Sequence, residues 1–309
     1  MGNHQEWSPS QGPRPYDRRY WSRYNLSAMP RDPDLWPNFS GTQFNCFLHH
    51  SLYMRNHYML GYSEAGHGTQ ATLILNDWLG DTGSWDAARP YLDHAAFRWI
   101  WSDLRGYGKS LDLPGSYSAA EAAKDVIALA DQLQVGQFSL ITHSMSAMVA
   151  LAIHLQQPDR ISRTILVTPP PATGMQLPES ARKGLIDLAL GSDADRFAAL
   201  RANWGDRLSE QWTAFKMERW RATAKPVAVA GYVDMFACTC PAPAPIHSPV
   251  LIVAGECDAP PMRSAALDQA YRSYCSDLRI HSFANCGHYP MQEMPVLLTT
   301  VVQRFLAGN

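Results

Sequence analysis

A mostly parallel, doubly wound α/β sheet with a helical insertion is the fold this chain predicts, on three observations. Short apolar runs alternate with stretches of helical periodicity, each run ends in polar or glycine-rich residues, and the alternation stops between 169 and 245 before resuming. A sheet covered on both faces also suits the composition. Of 309 residues 46% are apolar and only 17% charged, against a usual charged share of about 25%. The 26 basic and 28 acidic residues nearly cancel, and no long basic run is present, which argues against nucleic acid as the main partner.

Residues 1–45 are rich in Pro, Arg and aromatic side chains (Trp7, Tyr16, Tyr20, Trp21, Tyr24, Trp36) with no strand or helix period. They read as an arm draped over the domain, with an exchanged homodimer contact as the alternative. The arm begins polar, without the apolar stretch of a secretory signal. Residues 47–54 and 58–62 then read as two short strands around Arg55 and Asn56. Buried strands follow at 71–75, 97–101 and 138–141. Between the last two, Ser118-Ala119-Ala120-Glu121 is a capping box. Val126, Ile127, Ala130 and Leu133 share one helical face behind it, and Gly136 can end the helix. A second helix is expected over 145–156, stopping near Pro158. The uncharged run 135–158 is long enough to imitate a membrane span, but Gln137, Ser139, Thr142, His143, Ser144, Ser146 and His154 interrupt it, so no membrane partner is expected.

Strands at 163–167, 250–254 and 279–283 and a closing helix at 295–306 complete the core, assigned to 46–168 and 246–309. Residues 169–245 have helical character at 181–190, 194–203 and 209–221 but no convincing buried strand, and are expected to form a helical lid over the strand ends. The six cysteines include one lone C-x-C, Cys238 and Cys240, with none of the paired spacings of a zinc site. A reducing, cytoplasmic setting is expected. Adjacent strand residues face opposite ways, so His49 and His50 cannot chelate one metal together, and no glycine-rich phosphate or dinucleotide cradle follows a strand. Neither a metal nor a cofactor is expected.

In open α/β sheets ligands bind beyond the carboxyl ends of the strands. The residues found there are Asn76-Asp77-Trp78, Asp103, Ser144, Asp258 and His288. Three of these form an acyl-transfer set. Ser144 sits where the strand at 138–141 turns into a helix, with the positive end of that helix beside it. Asp258 follows the strand at 250–254, and His288 lies between the last strand and the last helix. Serine is a poor nucleophile at its own pKa. His288 would therefore take its proton, and Asp258 would orient the imidazole and stabilise its charged form. Glu256 is the rival acid.

The stretch Thr142-His143-Ser144-Met145-Ser146, followed by Asp258 and His288 in that chain order, resembles the α/β-hydrolase superfamily from about residue 46 to the end, hardly at all in the lid. Its nucleophile elbow reads G-x-S-x-G; here Thr142 and Ser146 replace the glycines. The resemblance implies that the backbone N–H groups of Met145 and Trp78 form the oxyanion hole. It also implies His-Gly where this chain has Asn76-Asp77, and an ionised Asp77 near a forming oxyanion would oppose it unless the side chain turns away into the loop. The segment Asp103-Leu104-Arg105-Gly106-Tyr107-Gly108-Lys109-Ser110 matches a family loop and is read as structural, pinned by Asp103 and Arg105.

Asp77, His143, Trp212, Phe215, Tyr232 and Phe236 are the expected pocket residues. They imply a modest apolar or aromatic small-molecule substrate, and no Arg or Lys cluster offers an anion clamp. Hydrolysis of a small carboxylic ester or lactone through an acyl-enzyme is the leading reading. Carbon–carbon bond hydrolysis, a cofactor-independent dioxygenase-like reaction on a heteroaromatic substrate, and a non-catalytic ligand receptor remain as alternatives. Because His288 must be neutral to act as base, the rate should rise from the high pH fives to about seven, near histidine's ordinary pKa of ~6.5. A pH-independent rate over that range, with chemistry limiting, contradicts the assignment.

Overall fold

The computed structural model describes residues 59–204 and 207–309, leaving aside the side chains of 202–204. The arm at 1–45, the strand expected at 47–54, and His49 and His50 lie outside the described residues. Among the described residues seven strands form one sheet: β1 (Tyr62–Ala65), β2 (Gln70–Leu75), β3 (Phe97–Ser102), β4 (Phe138–His143), β5 (Ile161–Val167), β6 (Val250–Gly255) and β7 (Leu278–Phe283). Their order is β1-β3-β2-β4-β5-β6-β7, parallel throughout except for β1, which runs antiparallel to β3. The first strand starts later than the sequence indicates. Gly61 N–H donates to Ser110 Oγ at 2.7 Å and Gly61 O accepts from Asp103 N–H at 3.2 Å, so the chain is tied to the loop after β3 until pairing begins at Tyr62 opposite Ser102.

Alternate residues of the central strands feed two apolar layers. Leu73, Leu75, Leu140 and Ile252 face one way, onto α1 (Ala119–Gln132) and α2 (Ala147–Gln156), through Val126, Ala130, Val149 and Ile153. Ile74, Ile141, Ile165 and Val253 face the other, with Trp99 and Trp101, onto Leu298, Val302 and Phe305 of the last helix. The period of two in the strands thus meets the helical period on each side. From β2 the chain passes to β3 on one side, and then to β4 on the other. The winding direction reverses there, opening a crevice at the carboxyl ends of β2 and β4.

Among the described residues between β5 and β6 lie five α-helices and no strand of the sheet: α3 (Glu179–Leu190), α4 (Asp193–Trp204), α5 (Glu210–Thr223), α6 (Pro226–Gly231) and α7 (Val233–Ala237). The last two are absent from the sequence reading, since five- and six-residue helices are too short to display a period. Later come α8 (Ser264–Tyr271), also unanticipated, then α9 (Pro290–Glu293) and α10 (Pro295–Leu306). Among the described residues no helix is long and apolar enough to cross a membrane.

Local chemistry accounts for the boundaries. Ser118 caps α1 by accepting from Glu121 N–H at 3.3 Å, while the Glu121 carboxylate takes the N–H of Tyr117 at 3.0 Å. Asp103 pins the loop after β3, accepting from Thr82 N–H (2.7 Å) and Lys109 N–H (2.9 Å). Arg105 does not pair with it. It grips Asp125 of α1 with two hydrogen bonds of 2.6 and 2.8 Å, so the loop is fastened to a helix as well as to itself. Gly106 and Gly108 adopt φ of 80° and 42° in that turn, where a β-carbon is unfavourable. Replacing Ser118 with Ala should cost about 1 kcal/mol in denaturant unfolding, through the lost helix cap; an unchanged midpoint would show that Glu121 and water satisfy the helix start without it.

Candidate active site

The strand-to-helix corner after β4 carries Ser144 at φ 55°, in the left-handed region that a non-glycine residue rarely occupies. Such strain persists only where the surroundings over-determine it, and here they do. Ser146, standing where the family motif has its second glycine, braces the corner: its hydroxyl accepts from His143 N–H and donates to His143 O, both at 3.0 Å. Thr142, in place of the first glycine, is completely buried as the penultimate residue of β4, and its hydroxyl has no hydrogen-bond partner among the described residues.

Ser144 opens onto a cavity of about 450 Å³ that Asp258 and His288 also line. His288 Nδ1 and Asp258 Oδ2 are 2.7 Å apart. Asp258 is itself held in place, its Oδ1 accepting Ala259 N–H at 2.7 Å and its carbonyl accepting Arg263 Nε–H at 2.8 Å. His288 makes its side-chain hydrogen bond to Asp258 and none to Ser144 Oγ. Glu256 turns elsewhere, accepting from the Ser282 hydroxyl and from Ser264 N–H at the start of α8.

The loop that carries His288 is clamped on both sides. The Glu293 carboxylate accepts Gly287 N–H (2.8 Å) and Tyr289 N–H (3.1 Å), and Arg207 pairs with it. The His288 carbonyl accepts from His143 Nε2–H at 2.7 Å and from the Thr168 hydroxyl at 3.0 Å. Burial pushes His143 down to about 4, so its ring is neutral near pH 7, with the Nε2 proton directed at that carbonyl. For His288, burial alone would also lower the pKa, but the Asp258 carboxylate outweighs it and the net shift is upward. Asp258 shows the reciprocal result: the raising effect of burial is overcome by His288, and its carboxyl stays below the ordinary value.

The pocket wall differs from the sequence expectation. Phe236 lines the cavity with Trp78, Leu79, Met145, Pro170, Met175, Ala259, Pro260 and Met262, together with Cys257 and Arg263. Asp77, His143, Trp212, Phe215 and Tyr232 do not line it. Asp77 and His143 lie in the interior beneath it, Tyr232 is 1% exposed between Tyr107 and Tyr117, and Trp212 donates Nε1–H to Gln292 at 2.8 Å. Phe215 is 43% exposed on the outer side of α5. Helical spacing identified the aromatic residues but not which of them would face the crevice. Met175 and Pro170, just past β5, and Met262 and Arg263, just past Asp258, escaped notice, although their place after a strand end was a usable signal.

The loop after β2 resolves the Asp77 question. Asn76 is fully engaged, donating to the carbonyls of Asp77 (2.8 Å) and Gly80 (3.0 Å) and accepting from Leu104 N–H (2.8 Å). Asp77 points away from the cavity and accepts from Tyr289 O–H at 2.8 Å, Leu79 N–H at 3.3 Å and Ser84 O–H at 3.4 Å. Trp78 is anchored at both ends, its Nε1–H donating to Val229 O (2.7 Å) and its carbonyl accepting from Tyr107 O–H (2.9 Å). Trp78 and Met145 thus face the same cavity as Ser144. Among the described residues no cluster of three or more His, Cys, Asp or Glu is gathered to hold a metal.

Fold and site together define the class. The chain belongs to the alpha/beta hydrolase family, whose model matches residues 67–299. Within it, 275 aligned residues are 24% identical to the 2-hydroxymuconate semialdehyde hydrolase of Pseudomonas putida, covering 81% of this chain and 91% of that protein. A shorter stretch of 97 residues, 31% of this chain, is 33% identical to epoxide hydrolase 2 of Siraitia grosvenorii and spans only 31% of that relative. A thermophilic esterase from Thermogutta terrifontis shares the fold with a TM-score of 0.68 and 21% identity, over 81% of this chain and 93% of its own.

Two outcomes follow for the acid and the base. Asp258→Asn should lower kcat by about 10³- to 10⁴-fold, the cost of losing the group that sets the tautomer of a catalytic histidine, while Glu256→Gln leaves kcat nearly unchanged. The reverse ranking in steady-state assays removes Asp258 from the set. If neutral His288 serves as the base, its raised pKa places the rising limb of kcat/KM above histidine's ordinary ~6.5 rather than below it. A limb centred in the high fives, measured from pH 5 to 9, contradicts the charge coupling to Asp258.

Proposed function

We propose that this member of the family is a serine hydrolase that cleaves a small, apolar or aromatic carboxylic ester or lactone through an acyl-enzyme at Ser144. The observation that carries the reading is the His288–Asp258 hydrogen bond on the same cavity as a serine held at positive φ. In this scheme His288 takes the Ser144 proton as Oγ attacks the substrate carbonyl. Asp258 stabilises the resulting imidazolium, and the N–H groups of Trp78 and Met145 receive the oxyanion. His288 then protonates the leaving alcohol, and water repeats the sequence on the acyl-enzyme. Ser144 rather than aspartate at the corner argues against epoxide opening.

The wall supports a mainly apolar acyl or alcohol group, through Trp78, Leu79, Met175, Phe236 and Met262, and about 450 Å³ suits a modest molecule. Arg263, beside Asp258, is the one Lys or Arg of that wall among the described residues. Carbon–carbon bond hydrolysis is the second reading, favoured by the relative of that activity with which most of the chain aligns. Serine, base and oxyanion hole serve both.

Fluorophosphonate labelling of the parent and of Ser144→Ala, with turnover of short aryl esters, lactones and vinylogous diketones, tests the proposal. Labelling that depends on Ser144 together with ester or lactone turnover is the expected result. Turnover of the diketone alone selects the second reading, and oxygen uptake that survives Ser144→Ala would overturn serine catalysis.

A further inference from the structure

Beneath the cavity lies a charged cluster that the proposed reaction does not use. Lys216, from the buried face of α5, is 1% exposed, and so is Asp77. Lys216 Nζ lies 3.7 Å from Asp77 Oδ2 and 4.1 Å from the centre of the Tyr289 ring, and it has no hydrogen-bond partner among the described residues. Burying an ammonium and a carboxylate costs several kcal/mol per ion before their attraction is counted. Docking of α5 does not require that cost. Arg219, one turn further on, pairs with Asp81 and Asp86, and Trp212 holds Gln292.

Asp77 is next to Trp78, whose backbone N–H is the donor proposed for the oxyanion. The Asp77 carboxylate shapes that loop by drawing Leu79 N–H and the Tyr289 hydroxyl inward. Left uncompensated, the same negative charge would oppose the oxyanion in a low-dielectric site. The groups facing Asp77 are Lys216 from α5, His143 from the end of β4, Ser84 from the turn after the loop, Tyr289 and His288. Those around Lys216 are Asp77, Asp81, Arg219 and Tyr289, with His143 and His288 also within its field. With the His143 ring neutral and Arg219 paired with Asp81, Lys216 is, among the described residues, the Lys or Arg that faces Asp77 in the interior.

We infer that Lys216 is the internal counter-ion of Asp77 and a positioning residue for the oxyanion loop, which allows an ionised carboxylate to hold Trp78 in place without its charge opposing the reaction. The inference rests on the serine-hydrolase reading for its chemical consequence, but the pairing itself does not.

The test is a cycle of Lys216→Met, Asp77→Asn and the double variant, read by fluorophosphonate labelling rate, aryl-ester kcat and KM, and thermal unfolding. Lys216→Met should lower kcat and the labelling rate by about tenfold or more, with a smaller change in KM. Its pH profile should fall as pH rises toward neutrality, because Asp77, without its cation, becomes charged at higher pH than in the parent and then opposes the oxyanion. The double variant should lose that falling limb and recover most of kcat. Lys216→Met should also lower the Tm by at least about 5 °C, with the double variant recovering it. The double, which carries no buried charge at this point, decides the matter even if Lys216→Met fails to fold. Folded double protein with kcat tenfold or more below the parent overturns the counter-ion role, and so does a single variant with parental kcat and pH profile. A parent that resists labelling defeats the hydrolase reading instead, and the Tm cycle still decides the pair: additive losses refute it.

Discussion

One buried carboxylate, Asp77, draws together parts of the chain that are far apart in sequence. The loop after β2 supplies it, Ser84 and Leu79 N–H donate to it locally, His143 approaches from β4, Lys216 from α5 and Tyr289 from the loop beyond β7. A charge taken out of water requires compensation from every side, so each of these elements is confined to a narrow range of positions. The elements are those that carry Trp78, Ser144 and His288. The geometry of the cavity is thereby coupled to a carboxylate that does not line it.

The same logic extends to the histidine loop. Glu293 receives the two N–H groups on either side of His288, and His143 and Thr168 hold its carbonyl, so the imidazole has little freedom except to meet Asp258. Preorganisation of this kind lets a catalytic base act without reorganising at the moment of reaction. The inserted helices take part as well. Arg207 meets Glu293, Lys216 meets Asp77, and Trp78 donates to Val229 at the end of α6's first turn. These contacts, with Arg219 on Asp81 and Trp212 on Gln292, fasten the insertion to the loops that carry Trp78 and His288.

Much of the core was legible in advance because buried parallel strands and amphipathic helices leave periods of two and of 3.6 in the sequence, and capping residues mark their limits. The closing helix at 295–306 and the cap at Ser118 are cases of this. Short helices such as α6 and α7 left no period, and β1 was displaced because Gly61 is tied to Asp103 and Ser110. Among the functional candidates, Ser144, Asp258 and His288 were visible because a parallel sheet delivers the ends of its strands to one edge. Glu256 could be weighed against Asp258 only once its partners, Ser264 and Ser282, were known.

By itself the sequence determined the alternation of strand and helix, the insertion after β5, and the order of serine, acid and histidine at successive strand ends, since all of these follow from local patterns and chain direction. Tertiary structure alone decided which way side chains face. Tyr232 and Trp212 turned to the interior, while Phe236, Met175 and Arg263 reached the cavity. It also brought Lys216, 139 residues further along the chain, to within 3.7 Å of the Asp77 carboxylate. No local rule can foresee such a pairing, because the strength of an ion pair depends on separation in space and on exclusion of water, and neither is written in separation along the chain.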